Sequence, residues 1–241
     1  MDIEKKTKEK KRSIFAYLKS KVRYDLSAIP RPFIIEITGS PHAGKTTAIN
    51  EIDKFLRRQG FRVLRPQEGG EAIRHIERKT PIYNIRTGLY ALTQILDHGH
   101  GHNYDVVIFE RGIFDAYCWM MYWAEKEKSN RHKLEVAKKF FLLNFWSNTI
   151  DRAYFMVCDP DKAMERELHT SLSQKLERDN LKMVKLYHKA YDRLSVNFPQ
   201  IKLIDTTNLK EKEVIESITL DILDIMSSKT KKSLLKNSIK F

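Results

Sequence analysis

A glycine-rich octapeptide directly after an apolar, β-branched run is the feature that most constrains this chain. Residues 39–46 read GSPHAGKT and fit the pattern G-x-x-x-x-G-K-[ST] at every specified position. Two glycines allow the backbone to curl so that its N–H groups point inward, and a helix opening at Lys45 adds the positive end of its dipole. The pattern predicts a strand, a phosphate-binding loop and a helix in succession; a ligand-free turn is the alternative.

The loop residues have distinct expected roles. Lys45 is expected to reach the β- and γ-phosphates of ATP, and the Thr46 hydroxyl to ligate Mg²⁺. His42 reads as a solvent-facing position of the loop rather than a catalyst. The predicted nucleotide-binding residues are Gly39, Ser40, His42, Ala43, Gly44, Lys45, Thr46 and Thr47.

From Pro30 onward, short β-branched runs alternate with segments of helical period. Strands are predicted at 33–38, 61–64, 105–109, 153–158 and 201–204, and helices near 45–58, 83–97, 113–127, 132–148, 160–169, 173–194 and 211–226. This alternation predicts an α/β fold of three layers: a P-loop NTPase fold with a five-stranded parallel sheet and helices on both faces.

Charged residues follow two of these strands where they end. Glu110 and Arg111 come directly after the apolar run VVIF, and Glu68 and Glu71 follow the second strand. Ligands bind at the carboxyl ends of parallel strands in this class of fold. Glu110 is therefore a candidate for the Mg²⁺ shell, Arg111 a forked donor to a phosphoryl oxygen, and Glu68 a proton acceptor with Glu71 as its competitor.

The phosphate loop, the 65–70 segment, Glu110-Arg111 and the helix from Asp115 to Tyr122 resemble the nucleoside and nucleotide kinase group of P-loop proteins, over roughly 33–226. That group contains thymidylate kinases and deoxynucleoside kinases. The resemblance implies that Arg111 contacts the acceptor and that Glu68 is the base of a deoxynucleoside kinase. The segment RPQEGG is also similar to the Arg-Glu-Pro-Gly-Gly segment of thymidylate kinases, which makes Arg65 a candidate acceptor residue, and Asp115 is a second candidate at the start of the similar helix.

These kinases close an arginine-bearing lid after the fourth strand. Asp159-Pro160 signals the start of a helix there, so the resemblance makes Arg166 the first lid candidate and Arg178 the second. The stretch 169–175 lacks the two closely spaced arginines that are common in the group. A surface arginine on a helix is the alternative interpretation of Arg166.

An acceptor pocket requires an aromatic wall with a polar group that reads a base. Tyr90 and Gln94 lie one turn apart on the predicted helix 83–97, and Tyr117, Trp119 and Tyr122 follow the Glu-Arg pair. Placement in the core is the alternative for these aromatics, and it is favoured for Trp119. Residues 205–208 are expected to frame the adenine or to form an ordinary turn.

The net charge of +13 lies at the two ends of the chain. Residues 1–23 carry nine Lys or Arg against three acids, residues 227–241 carry five lysines and no acid, and residues 24–226 have a net charge of only +2. We therefore expect a basic amphipathic arm at 1–29, a kinase domain at 30–226 and a basic tail at 227–241. The arms suit weak contact with polyanions.

The leading prediction is an ATP- and Mg²⁺-dependent phosphotransferase acting on a nucleoside or nucleoside monophosphate, in a cytoplasmic protein for which a homodimer is the candidate assembly. No apolar stretch is long enough for a transmembrane segment, and two cysteines in apolar runs exclude a disulfide scaffold. Two alternatives remain open: a polynucleotide 5′-end kinase that uses the basic arms, and a nucleotide-dependent NTPase switch that recruits a partner.

Overall fold

The computed structural model describes residues 31–101, 103–168 and 177–238, together with positions 9 and 12. Most of the predicted arm 1–29, the end of the predicted tail and the lid stretch 169–175 therefore lie outside the described residues. Among the described residues, no helix is both long enough and apolar enough to cross a membrane.

Five parallel strands form one sheet in the order β2-β3-β1-β4-β5. Their bounds are β1 (Phe33–Gly39), β2 (Val63–Leu64), β3 (Val106–Glu110), β4 (Ile150–Val157) and β5 (Ile201–Asp205). The predicted five-stranded parallel sheet is confirmed. Because β1 is central, its carboxyl end and those of β3 and β4 bring the loop, Glu110 and Arg111 to one edge.

Helices connect the strands and cover the sheet. They are α1 (Lys45–Arg58), α2 (Gly69–Ala72), α3 (Pro81–His98), α4 (Ile113–Lys126), α5 (Arg131–Phe141), α6 (Asn144–Ser147), α7 (Pro160–Leu168), α8 (Glu177–Leu194) and α9 (Glu211–Ser238). A short 3₁₀ turn, Lys128–Asn130, precedes α5. Two apolar cores result: one joins a face of the sheet to α3, α4, α5 and α8, and the other joins the opposite face to α1 and α9.

Two helices differ from their predicted bounds. The helix predicted over 132–148 is broken between Phe141 and Asn144, where the Trp146 indole N–H donates to the carbonyl oxygens of Phe140 and Phe141 at 3.1 and 3.2 Å. These bonds satisfy carbonyls that a continued helix would have used. The last helix runs on to Ser238 rather than 226, because its sequence contains no Gly or Pro to end it.

Candidate functional site

The phosphate loop is shaped by glycines where no side chain fits. Gly39 has φ 143°, and a Cβ there would lie 1.8 Å from the carbonyl oxygen of Met156 on β4. Gly44 has φ 84° and precedes the first residue of α1. The Ser40 N–H also donates to the Met156 carbonyl at 2.9 Å. The loop is thus held against the central strands with its open side toward solvent.

The start of α1 is prepared for an anion. No side chain caps its N-terminus, and its first turn contains no acid. Lys45 folds back so that its Nζ donates to the Ser40 carbonyl at 2.6 Å. Burial, together with the charge of Arg111, lowers the pKa of Lys45 to about 7 against the opposing effect of Glu110. Phosphate oxygens would supply the negative charge that this buried ammonium lacks.

Thr46 and Glu110, the two predicted metal ligands, lie side by side although 64 residues separate them. The Thr46 hydroxyl donates to Glu110 Oε1 at 2.7 Å. A hydroxyl and a carboxylate oxygen at the mouth of a phosphate loop are the ligand types that Mg²⁺ takes alongside phosphate oxygens. The donor set fits this ion, and the assignment of both residues to it stays a prediction.

Arg111 links the predicted proton acceptor to the helix that follows β3. Its Nε lies 3.0 Å from Glu68 Oε1, and its Nη1 lies 3.2 Å from Asp115 Oδ1. Burial alone would lower the pKa of Arg111, but the carboxylates of Asp115 and Glu68 outweigh it and raise that pKa. The guanidinium is therefore charged and fixed between two acids.

Glu68 occupies the end of the segment after β2 and caps the short helix α2 with its backbone carbonyl. Burial raises the pKa of the Glu68 carboxyl above its ordinary value, while Arg111 opposes that rise. Its competitor Glu71 is exposed on α2 and lines neither of the two cavities described below. The geometry thus favours Glu68 over Glu71.

Asp115 was a predicted acceptor residue, and its carboxylate is held by three neighbours. Thr38 and Tyr187 both donate hydroxyl hydrogen bonds to Asp115 Oδ1, the latter at 2.5 Å, and Arg111 is its ion-pair partner. With these bonds in place, Asp115 orients Arg111 rather than standing free for a substrate. Thr38 and Tyr187 did not emerge from the sequence; Tyr187 carries no local signal.

Glu36 is a buried acid in the middle of β1. Sequence analysis did not identify it, although an acid inside the apolar run FIIEIT indicates a special role. Its carboxylate accepts from the backbone N–H groups of Phe114 and Asp115 at 3.2 and 2.8 Å. Burial raises the pKa of Glu36 to about 8, although these N–H bonds oppose the rise. Glu36 thereby ties the start of α4, and with it Asp115, to the central strand.

A small cavity of about 170 Å³ lies beside Glu68 and Arg111, enclosed by α2, α3 and α4. Its remaining lining residues are Gly69, Gly70, Tyr83, Asn84, Thr87, Gly88, Gly112, Asp115, Ala116 and Trp119. The buried Asn84 accepts the Trp123 indole N–H at 2.8 Å, which fixes its amide. We call this space the acceptor cavity.

Three predicted acceptor residues are not brought to this cavity. Tyr90 and Gln94 lie on α3 as expected, but the cavity is lined one to two turns earlier, by Tyr83, Asn84 and Thr87. The register differs because Gly88 lets α3 approach α4 closely: a Cβ there would lie 2.6 Å from that of Ala116. Arg65 turns back to α1, where its Nη1 donates to Asn50 at 2.8 Å.

Of the aromatic residues predicted on α4, Trp119 lines the cavity, whereas Tyr117 is buried in the core. Trp119 is partly buried and packs against the core, as the core interpretation expects, but it also lines the cavity. The spacing of apolar residues in α4 cannot show by itself which of Tyr117 and Trp119 lies in the core, because the helix is buried over most of its circumference.

A larger cavity of about 800 Å³ opens over the phosphate loop, and Glu68, Glu110 and Arg111 line it as well. Arg166 lies in its wall, where its guanidinium donates to the carbonyl oxygens of His42 and Thr206 at 3.3 and 2.8 Å. Arg166 thus joins the loop to the segment after β5. The side chain of Arg178, the second lid candidate, lies outside the described part of the chain.

Apolar side chains form part of the wall of this nucleotide cavity, beside Glu211 at the start of α9. Leu209 and the first turns of α9, through Val214 and Ile215, face it next to Thr206. Thr206 belongs to the 205–208 segment that was expected to frame the adenine. The apolar residues of α9 were not anticipated, because an apolar position in an amphipathic helix normally indicates core.

Comparison with solved structures identifies the fold. A deoxyadenosine kinase from M. mycoides with bound dCTP matches with a TM-score of 0.57 and 18% sequence identity, covering 79% of this chain and 98% of that one. The same enzyme with bound dATP matches with a TM-score of 0.57 and 21% identity, covering 79% and 99%. No protein-family model and no curated protein matches the chain.

The chain therefore has the fold of a P-loop kinase. Within that class it shares the architecture of deoxyadenosine kinase over four fifths of its length, as the resemblance in the sequence implied.

Proposed function

We propose that this protein is a kinase that transfers the γ-phosphoryl group of ATP to the hydroxyl of a nucleoside. The observation that carries the proposal is the position of Glu68, which lines both the nucleotide cavity and the acceptor cavity. A carboxylate at the junction of a phosphate site and an enclosed polar pocket is where a proton acceptor for an attacking hydroxyl is needed. The shared fold with deoxyadenosine kinase supports it.

The charge of the acceptor cavity favours a nucleoside over a nucleoside monophosphate. Among the described residues that line it, Arg111 is the single cation, and it already pairs with Glu68 and Asp115. A monophosphate would add two negative charges to a pocket that already holds a net negative one, without a new cation to balance them. A neutral nucleoside adds none.

ATP and Mg²⁺ supply an activated phosphoryl group and neutralise the charge that develops on it. Thr46 and Glu110 would hold the ion, and Lys45 would turn from the Ser40 carbonyl to the phosphates. Glu68 would accept the proton of the acceptor hydroxyl, and Arg111 would orient Glu68 while facing the transferring group. Arg166 would brace the loop through His42 and Thr206 rather than close over it.

The test is phosphoryl transfer from labelled ATP to a panel of nucleosides and nucleoside monophosphates, with Mg²⁺ present. We expect a labelled monophosphate from at least one nucleoside, and no diphosphate at comparable rates. Lys45→Ala should abolish the product. ATP binding without transfer to any acceptor would contradict the proposal.

Hydrolysis of ATP without an acceptor tests one of the two alternatives, an NTPase switch that acts on a partner. The proposed kinase should hydrolyse ATP far more slowly than it phosphorylates its acceptor, because the proposed role of Glu68 is to accept the proton of a hydroxyl bound in the acceptor cavity. A rate of hydrolysis that no nucleoside increases would favour the switch.

A further inference from the structure

A second cleft lies outside the acceptor cavity, between α4, α8 and the segment before α3, with a volume of about 880 Å³. We call it the basic cleft. Six cationic side chains line its rim: Arg78, Lys79, Lys126, Lys182, Lys185 and Lys189. Glu125 is the single acid among its described lining residues, and it pairs with Lys189. Such a concentration is unexpected where residues 24–226 have a net charge of only +2.

The basic cleft borders the reaction site. It shares Arg111 and Trp119 with the acceptor cavity, and Pro41 of the phosphate loop also borders it. Arg78 bridges the two spaces, since its Nη2 donates to the carbonyl of Gly70, a residue of the acceptor cavity, at 3.2 Å. The basic cleft is therefore the neighbouring space for the part of an acceptor that extends past Arg111 and Trp119.

Aromatic rings form the inner wall of the basic cleft. Trp119 and Tyr122 are partly buried and meet edge to face, with ring centroids 5.6 Å apart. Trp123 lies behind them with the ammonium of Lys126 4.7 Å from its ring centroid. A rim of cations over accessible aromatic rings is the arrangement that binds single-stranded nucleic acid, with phosphates on the cations and bases on the rings.

The acceptor cavity and the basic cleft differ in charge. The acceptor cavity has its cation neutralised, whereas the basic cleft has cations in excess. An acceptor that fits both spaces has no charge on the nucleoside that reacts in the acceptor cavity. It carries its negative charge on the part that lies in the basic cleft. A phosphate on the 3′ side of a nucleoside, with the 5′-hydroxyl free, has that distribution.

Resting on the proposed kinase activity, we infer that the basic cleft binds the nucleotide unit on the 3′ side of the acceptor, so that the preferred acceptor is a short single strand with a 5′-hydroxyl. The 5′-oxygen forms a bond to the γ-phosphorus as the bond to the β-γ bridging oxygen breaks. ADP leaves with that electron pair, and Glu68 takes the hydroxyl proton. This surface is separate from the terminal arms.

The experiment compares kcat/KM for three acceptors: a nucleoside, the same nucleoside with a 3′-phosphate, and a 5′-hydroxyl dinucleotide. We expect KM to fall about tenfold on adding the 3′-phosphate and further with the second base, and the gain to shrink as salt rises, by about 0.7 log units per tenfold in salt for each phosphate contact. Lys185→Gln should reduce the ratio of dinucleotide to nucleoside efficiency about three- to tenfold. Lys54→Gln, the same change on the opposite face of the sheet, should leave that ratio unchanged.

Equal efficiencies for the three acceptors would overturn the inference while the kinase proposal stood. A rise in KM for ATP in Lys185→Gln would also overturn it, since the lysines would then serve the donor. If no acceptor is phosphorylated, calorimetric binding of the dinucleotide and the nucleoside separates the claims. Tighter, salt-dependent binding of the dinucleotide would support the cleft and reject the kinase, and equal binding would reject both.

Discussion

The two sides of the proposed reaction site are built in different ways. The donor side is eight consecutive residues whose backbone forms the binding surface, completed by Glu110. The acceptor side is assembled from side chains on α2, α3, α4 and the end of β3, and Asp115 there is held by Tyr187 of α8. A backbone-built site depends on glycines at fixed spacing, whereas a side-chain-built site depends on how distant helices pack.

Backbone strain is present on both sides. His42 in the loop has φ 54° and Arg111 has φ 58°, and they are the non-glycine residues with positive φ in the described part of the chain. Bulky residues in this region cost about 1 kcal/mol or more each. At His42 this backbone conformation directs the carbonyl oxygen toward Arg166. At Arg111 it directs the side chain toward Glu68.

The largest effect is expected on the donor side. Lys45→Met should lower kcat/KM by about 10³-fold or more, because a buried ammonium that offsets phosphate charge is replaced by a neutral side chain of similar length. The far-ultraviolet circular dichroism should be unchanged. Transfer within tenfold of wild type would show that the donor phosphates lie elsewhere.

Glu68→Gln tests the junction between the two sides. We expect kcat to fall about 10²- to 10⁴-fold, as for loss of a general base, with KM for ATP nearly unchanged. In the wild type, activity should be full above the raised pKa of Glu68 and be lost as pH falls through it, because a protonated carboxyl cannot accept a proton. Glu71→Gln is the matched control and should retain both the rate and the acidic limb of the pH profile.

The difference between the two sides also explains what the sequence could predict. The five strands, the loop and the meeting of Thr46 with Glu110 follow from local patterns and from one rule about parallel sheets. Asn84 and Tyr187 could not be found, because nothing near them signals their role. Their contacts depend on the close approach of α3 to α4 at Gly88, and of α8 to the end of β1, which are properties of packing.

On the acceptor side, Asn84→Ala should raise KM for the acceptor by roughly ten- to a hundredfold and leave KM for ATP unchanged, since it removes a fixed buried amide from the cavity wall. Trp123→Phe removes the same indole hydrogen bond while keeping Asn84 in place, and it should have the smaller effect. If the two variants raised the KM for the acceptor equally, the role of Asn84 would be in packing alone and not in binding the acceptor.

The pKa of Lys45 gives a pH dependence specific to the donor side. In the free protein this pKa is lowered to about 7, and bound phosphates should raise it, because they stabilise the ammonium. ATP binding above pH 7 should then take up a proton, and affinity should fall with rising pH by at most about tenfold per unit. Calorimetry in buffers of different ionisation enthalpy measures that proton. Lys45→Met, which cannot titrate, should show less uptake.

The smallest effect should come from Tyr187→Phe, which removes one hydroxyl from the acceptor side and little volume. Asp115 would keep its bonds from Thr38 and Arg111, so we expect Arg111 to remain charged but less firmly oriented, and kcat to fall about two- to fivefold. A purely structural role would lower the melting temperature without changing kcat at a temperature where the variant is folded. Because Tyr187 donates directly to Asp115 and Asp115 pairs with Arg111, Asp115→Asn should have the larger effect, and adding Tyr187→Phe to it should change kcat less than Tyr187→Phe does alone. Additive losses in the double variant would mean that the hydroxyl acts on the acceptor by another route.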